Sequence, residues 1–543
     1  MKFKLICIFL LFLITFFVFQ YTLELREPWR VDGLSNEDHQ WLTASTVKYS
    51  KNWYIEDPIS LKFAMLDNPK SIEFNTLSSR KPYTSYPPGT IIPIYIISEI
   101  KGSEPTPLLV MDYNLLNHFL IAFLLSLIVF FTFLRLKLDL ISAFIFSTIP
   151  ILLELLLPGP LYWHQNVFFA DQAVILPFVS FIFLEIIISS YTKSKEILTA
   201  LSIFQSIIMF YGILTDWFFI FIAFVVYLKR IFNREMIDEI NIYSFLKESL
   251  KYWLPAILSL SLFIMQLLYL GTINQTIDKG LLRTGGSRIT DFVSKLQSHL
   301  FNDYGAMLTG ILLISLIICS IIALFMILRY LRNKKIYEDI NNTLYIIGIL
   351  AIPCFLQILT FKDHTFFHEF SVLKFSVLYA TIPFVFTPLL LYLVFKHSKF
   401  INNNLKGRKI SGLLILSLLC LTMVSGLVVY ENPDKTNLFP DVNDNIKLLG
   451  NSINKNVGYN DIVFSPDFEV RMNPPQIISY SMKRVYKVNS TDEIKEKIKN
   501  IEGDYRVVIL FLNKTRNWEI LDNATLIKDN NYYYYIISPK SLK

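Results

Sequence analysis

Six short stretches of this sequence hold residues that could do chemistry. The first reads Asp32-Gly-Leu-Ser-Asn-Glu37-Asp38-His39, followed by Gln40-Trp41. A carboxylate here could take a proton from an attacking hydroxyl. The alternative is a cap, with Asn36 or Asp38 opening a helix that carries Trp41, Leu42 and Val47. The second is Tyr83-Thr-Ser-Tyr86-Pro-Pro-Gly89-Thr90. Two prolines fix φ and the glycine permits a sharp bend, so it should form a rigid corner where the chain re-enters the membrane surface. The third runs from Pro158 to Gln172 and holds Tyr162, Trp163, His164, Gln165, Asn166 and Asp171, a polar set beside aromatic rings that suits sugar hydroxyls. The fourth is Asp216-Trp217, an acid between two apolar stretches and therefore a functional candidate by its cost alone. The fifth is Arg283-Thr-Gly-Gly-Ser-Arg288, where planar guanidinium forks and accessible amides suit phosphate. The sixth is Asp363-His364-Thr-Phe-Phe-His368-Glu369, with Lys374 after it. On a helix, His364 and His368 share a face, a spacing that could ligate a divalent metal or donate to phosphate. The glutamate that follows the first histidine in zinc proteases is missing, so a protease has no support.

The elements that position these residues are membrane spans. The 543 residues are 53% hydrophobic and only 17% charged, and mean hydropathy is +0.45. That composition points to a mainly α, polytopic helical membrane protein. The net charge of +7 falls mostly in short segments between apolar runs and is not a nucleic-acid signature. Cys7, Cys319, Cys354 and Cys420 all lie inside apolar runs, as small buried hydrophobes do. Eleven spans are predicted, at 5–23, 113–134, 139–157, 173–190, 197–212, 214–228, 252–271, 306–328, 343–361, 374–395 and 410–430. The stretch 197–228 also admits one long kinked helix. The first run is long and has no small-residue cleavage site, so a retained helix is expected.

Lys and Arg sort the loops. With the N-terminus inside, Arg135 and Lys137, then Lys229 and Arg230, then Lys396 and Lys399 all fall inside. The loops 24–112, 158–172, 212–216, 272–305 and 362–373, and the tail, then face outward. All six stretches lie on that side, with the acid cluster just beyond the first span. A carboxylate at a helix centre in the bilayer costs roughly 2.5–3.5 kcal/mol, which argues for such a placement. The first outward loop is about 90 residues, and unstructured loops of that length are uncommon without function.

The tail from 431 to 543 changes character. Strands are expected near Asp461–Ser465, Tyr505–Leu512 and Tyr532–Ser538, with an amphipathic helix over Thr491–Lys499. The alternation predicts a small α/β domain after a membrane domain of residues 1–430. It holds no Gly-rich phosphate loop. Packing or acceptor recognition is the expected role.

The ensemble of a first helix, a long outward loop opening with an acidic pair, Tyr86-Pro-Pro-Gly89 near its end, many further spans and an outward tail resembles the C-type membrane glycosyltransferases. The branch it is most similar to holds the protein O-mannosyltransferases, the aminoarabinose transferases and the RgtA-to-D-like proteins. The resemblance covers residues 1–430. It implies inverting transfer of a sugar from a polyprenyl-phosphate donor to a lipid, glycan or protein acceptor outside the cytoplasm. The family's first-loop acid maps onto Glu37-Asp38, here in the order Glu-Asp rather than Asp-Glu. Asp38 is the favoured base and Glu37 the second. His39, Tyr86, His164, Gln165, Asp171, Asp216, Arg283, Arg288, His364, His368 and Lys374 are the expected substrate-binding residues. Two other classes compete. A transporter or flippase of lipid-linked sugars would want polar groups at mid-membrane and paired halves, and no repeat is evident. A non-catalytic assembly subunit would not need polar residues spread over several loops.

Overall fold

The computed structural model describes residues 2–30, 33–35, 39–191, 194–232, 242–286, 288–332, 337–397, 419, 444–471, 473–512 and 524–542. The predicted span 410–430 lies outside the described residues, apart from Leu419.

The first helix, α1, is Lys2–Arg26, and the long loop after it begins with α2, Trp41–Glu56. Its cap is Gln40, which makes no side-chain capping bond. The loop ends in α3, Ile92–Lys101, and Gly102 closes that helix with φ +63°, a left-handed value suited to glycine. The bundle continues with α4 (Pro107–Arg135), α5 (Leu140–Leu156), α6 (Pro158–Asn166), α7 (Ala170–Ala173), α8 (Ile175–Tyr191), α9 (Lys195–Thr215) and α10 (Phe218–Phe232). Then follow α11 (Ile242–Leu270), α12 (Ile273–Thr284), α13 (Ile289–Tyr304), α14 (Ala306–Leu331), α15 (Glu338–Thr360), α16 (Lys362–Phe367), α17 (Ser376–Thr381) and α18 (Thr387–His397). Side chains fix several starts. Thr106, Asp139 and Ser194 each accept a bond from the backbone amide three residues on, which satisfies one of the orphan donors of a helix N-terminus.

Among the described residues, eight helices are long and apolar enough to cross a membrane, or nine if α5 and α6, bent by 57°, count as one span. The stretch 197–228 resolves into two helices, α9 and α10, which break at Asp216-Trp217. Two predicted loops are helical. Residues 158–172 form α6 and the start of α7, buried throughout. Residues 272–305 form α12 and α13. Ile273, Ile277 and Leu281 recur every fourth residue in the first, and Phe292, Leu296 and Leu300 in the second, so each has an apolar stripe.

The loops predicted to share one side do meet. Arg283 of α12 bonds the Ser85 carbonyl, Lys374 bonds both Asp171 and Asp216, and His39 packs on His368. The opposite helix ends meet as well, through the buried Glu185 with Lys229 and Arg230, and through Asp339 with His397.

The C-terminal unit carries one five-stranded sheet of order β2-β1-β3-β5-β4. Its strands are β1 Ile462–Ser465, β2 Val485–Lys487, β3 Val507–Leu512, β4 Thr525–Asp529 and β5 Tyr532–Ile537. β2, β1 and β3 run parallel, and β5 and β4 add antiparallel. Alternation sends Ile462, Phe464, Val507 and Ile509 to one face, where Ile494 and Ile498 of the helix Thr491–Ile498 pack. Val463, Val508 and Leu510 face the other side, against Leu449 and Ile453 of Asp444–Asn456. β2 and β4 escape sequence reading because one is three residues long and the other is an edge strand with exposed polar residues. Gln476 bonds the Ser35 carbonyl at 3.1 Å, and Tyr480 and Ile446 pack on Leu34 and Ala44, so the unit sits on the first loop.

Candidate active site

A polar cluster forms where α7, the α9–α10 break, α16 and the segment after it come together. Lys374 Nζ lies 2.6 Å from Asp171 Oδ1 and 3.1 Å from Asp216 Oδ2. All three are at most 2% exposed. Asp171 reaches this point because α7 is a single turn that begins the α8 span, with Gln172 accepting from the Phe169 amide to close its start. Asp216 ends α9 in extended backbone and accepts from the Phe218 amide, so the helix break aims its second oxygen at Lys374.

His364 extends the cluster. Its Nε2 is 3.5 Å from Asp171 Oδ2 and 3.3 Å from the Tyr86 hydroxyl. Arg283 stacks its guanidinium 4.4 Å from the Tyr86 ring centroid and donates to Ser85 O at 3.3 Å. Burial pushes the Tyr86 phenol well above its ordinary range, so it stays protonated. Tyr86, Asp216, Trp217, Arg283, Gln357 and His364 line a small space of about 10 Å³, and Gln357 Oε1 has no hydrogen-bond partner among the described residues. That volume holds about one water.

The Pro-Pro-Gly corner behaves as its residues require, with a reason the sequence does not show. Pro88–Thr90 is a short 3-10 turn, and a Cβ on Gly89 would stand 2.5 Å from Leu214 O and 2.7 Å from Thr215 Oγ1. Only glycine lets this corner sit on the end of α9.

A second group of rings continues from His364. His368 lies 4.8 Å from His364, 6.1 Å from His39 and 5.0 Å from Phe370. His39 has φ +62°, an uncommon value for a non-glycine residue, with its ring between Trp163 and Phe370. Its Nε2 is 3.7 Å from one oxygen of Glu369, and His299 Nδ1 is 3.8 Å from the other. Burial, then the charge of His299, lowers His39 to about 4; burial, then His364 and His39, lowers His368 to about 3. Both rings are neutral at pH 7. Glu37 and Asp38, the sequence-predicted acids, lie outside the described residues. Their neighbours Ser35 and His39 are inside them, and Gln40 Oε1 accepts from the Ser35 amide at 2.6 Å.

The structure therefore brings together Tyr86, Asp171, Asp216, Arg283, His364, His368, Lys374 and His39. It does not bring Arg288 or His164 to them. Arg288 is exposed at the start of α13. His164 lies in a separate buried cluster, stacked 4.5 Å from His118, its Nε2 3.9 Å from Glu154. Gln165 is buried with both side-chain polar atoms unpartnered among the described residues. His364 and His368 do not share a helical face either. α16 ends at Phe367 and His368 is in extended backbone.

Sequence reasoning missed Arg26, His118 and Glu154. All three are fully buried, with Arg26 Nη2 2.8 Å from His118 Nδ1 and Ser376 3.2 Å from Glu154. The signal was present, since an ionisable residue inside an apolar span marks itself. His118, Glu154 and His164 are the one described grouping whose ligand-type atoms all lie within 4.8 Å of one another. It does not suit a cation. His118 Nδ1 is taken by a guanidinium, and Nε2 is 2.7 Å from the Glu154 carbonyl.

No protein-family model and no curated protein matches this sequence. Solved structures do. ArnT from Cupriavidus metallidurans bound to undecaprenyl phosphate is similar over 98% of both chains, at TM-score 0.53 and 10% identity. Its apo form gives TM-score 0.51. The apo oligosaccharyltransferase of Archaeoglobus fulgidus is similar over 92% of this chain and 69% of its own, at TM-score 0.50 and 10% identity. The resemblance to the C-type membrane glycosyltransferases holds at the level of the fold, from the first helix through the C-terminal sheet.

Proposed function

We propose that this chain is a membrane glycosyltransferase that moves a sugar from a polyprenyl-phosphate carrier to an acceptor hydroxyl on the extracytoplasmic side, with inversion. The observation that carries the reading is the convergence of Asp171, Asp216, Arg283, His364 and Lys374, far apart in sequence, at the loop-rich end of a bundle with the fold of ArnT. A transporter would instead want a polar path through the membrane.

In the proposed reaction Asp38 takes the acceptor's proton, the acceptor oxygen bonds to the anomeric carbon, and the bond from that carbon to the phosphate oxygen breaks. Polyprenyl phosphate leaves with the electron pair. A phosphate needs no proton to depart, so one carboxylate suffices, unlike the paired acids of glycoside hydrolysis. Arg283 is the cation best suited to the phosphate. Its guanidinium rests on a ring and a carbonyl rather than on a carboxylate. Lys374 is already held by two aspartates and serves to position them. Tyr86 and His364 supply hydrogen bonds beside Arg283.

The test is incubation of the purified chain with labelled polyprenyl-phosphate sugars. Asp38→Asn should abolish transfer while the protein still inserts and folds. Full transfer by that variant would defeat the assignment.

A further inference from the structure

Between α2 and the C-terminal unit lies a cleft of about 480 Å³, within the range of sites for small organic ligands. Trp41, Tyr49 and Tyr83 give it aromatic walls, and its charged lining is Lys48, Arg471 and Arg484 against the carboxylates Asp67 and Glu469. Two of these cations are spoken for. Lys48 Nζ lies 3.0 Å from Asp67, and Arg471 lies 2.7 Å from Glu469.

Arg484 is different. Among the described residues no carboxylate lies within salt-bridge distance of its guanidinium, and its Nε is buried without a hydrogen-bond partner. The group sits over rings, its Cζ 4.6 Å from the Tyr486 centroid and 5.8 Å from that of Phe74. Glu73, whose charge acts on Arg484, is itself engaged by the Tyr486 hydroxyl at 2.9 Å. A planar fork held in place by aromatic faces is prepared for an oxyanion.

The cleft borders the candidate active site. Trp41 is two residues beyond His39 and 6.3 Å from His368. Gln476 ties the other wall to Ser35. The C–H faces of a sugar ring pack on aromatic side chains such as Trp41 and Tyr83, while the cation beside them selects charge.

We infer that this cleft binds the acceptor, and that the acceptor is a saccharide bearing an anionic group, a carboxylate or a phosphate, seated on Arg484. The acceptor role rests on the transferase reading. The binding of an anionic saccharide does not.

The test uses the full chain in nanodiscs and calorimetric titration with four probes: tri-galacturonate, its neutral methyl ester, glucose 6-phosphate and glucose. At low salt at least one anionic probe should bind at least about tenfold more tightly than its neutral counterpart, and added salt should erode the difference. Tight binding of only one anionic probe identifies the anion as carboxylate or phosphate. Arg484→Gln should lose about tenfold on the anionic probes and nothing on the neutral ones, which also reports that the variant is folded. Trp41→Ala should weaken both kinds. Equal affinity for charged and neutral probes, or an Arg484→Gln variant that binds the anionic probes as wild type does, overturns the inference. Release of polyprenyl phosphate by the wild-type chain is measured separately. Turnover of donor with a preference for neutral sugars retains the transferase reading and overturns this one. Anionic binding with no turnover does the reverse.

Discussion

Replacing Lys374 with methionine tests the reasoning about the buried cluster most directly. The ammonium makes two charge-assisted bonds, at 2.6 Å to Asp171 and 3.1 Å to Asp216, and neither carboxylate has more than 2% exposure. Each such bond contributes about 1.5–3 kcal/mol. Their loss is the smaller problem. Two buried carboxylates then lose the cation they share, and breaking a buried pair in this way typically costs about 3–5 kcal/mol. Lys374→Met should therefore lower stability by about 3–5 kcal/mol, read from detergent-titrated unfolding of the purified chain. The sign of the second step separates charge from packing. Adding Asp171→Asn and Asp216→Asn removes the stranded charges and should recover most of the loss, because a neutral replacement of a buried ionic group is often well tolerated. If Lys374→Met loses less than about 1 kcal/mol, or the triple variant is no more stable than the single one, the account of this cluster is wrong.

Three further outcomes follow from the structure. Gly89→Ala places a methyl group 2.5 Å from the Leu214 carbonyl oxygen, where the obstacle is backbone, so it should destabilise by about 1–3 kcal/mol or more and displace Tyr86; Gly102→Ala, at φ +63° in open space, should cost about 1 kcal/mol in the same detergent-titrated unfolding and leave activity alone. His39 and His368 have folded-state values near 4 and 3, below their ordinary 6.5, so the folded chain binds fewer protons than the unfolded chain between those limits. Their contribution is complete above about pH 6.5 and is lost as pH falls toward 4, at about 1.4 kcal/mol per pH unit for each ring. An unfolding midpoint that declines over that window, and declines less in His39→Asn, is the expected result; a flat profile in the wild type refutes it.

The site was legible in parts. Asp171, Asp216, Arg283, His364 and Lys374 stand out one at a time, because a charged or polar residue beside an apolar run must have a reason to be there. Their mutual arrangement was not legible. Nothing local to Lys374 says that its partners are more than 150 residues upstream, and nothing local to His164 says that it stacks on His118. The spacing of His364 and His368 misleads for a related reason: a helix that stops at Phe367 cancels the shared face that a four-residue interval implies. Glu154 and His118 carried a signal of the same kind as Asp216, yet inside an apolar segment it is easily read as part of the span.

What the sequence determined by itself is what depends on local physical rules. Apolar runs of membrane length set the spans, the distribution of Lys and Arg assigns the loops to faces, and alternation within the tail gives three of the five strands, because each rests on neighbours within a few residues. What only the tertiary structure decided depends on packing between distant segments. The demand for glycine at position 89 comes from the end of α9, the pairing of Lys374 from two other loops, and the cleft under Arg484 from the seating of the C-terminal unit on α2. Those contacts are made by surfaces whose partners no local pattern encodes.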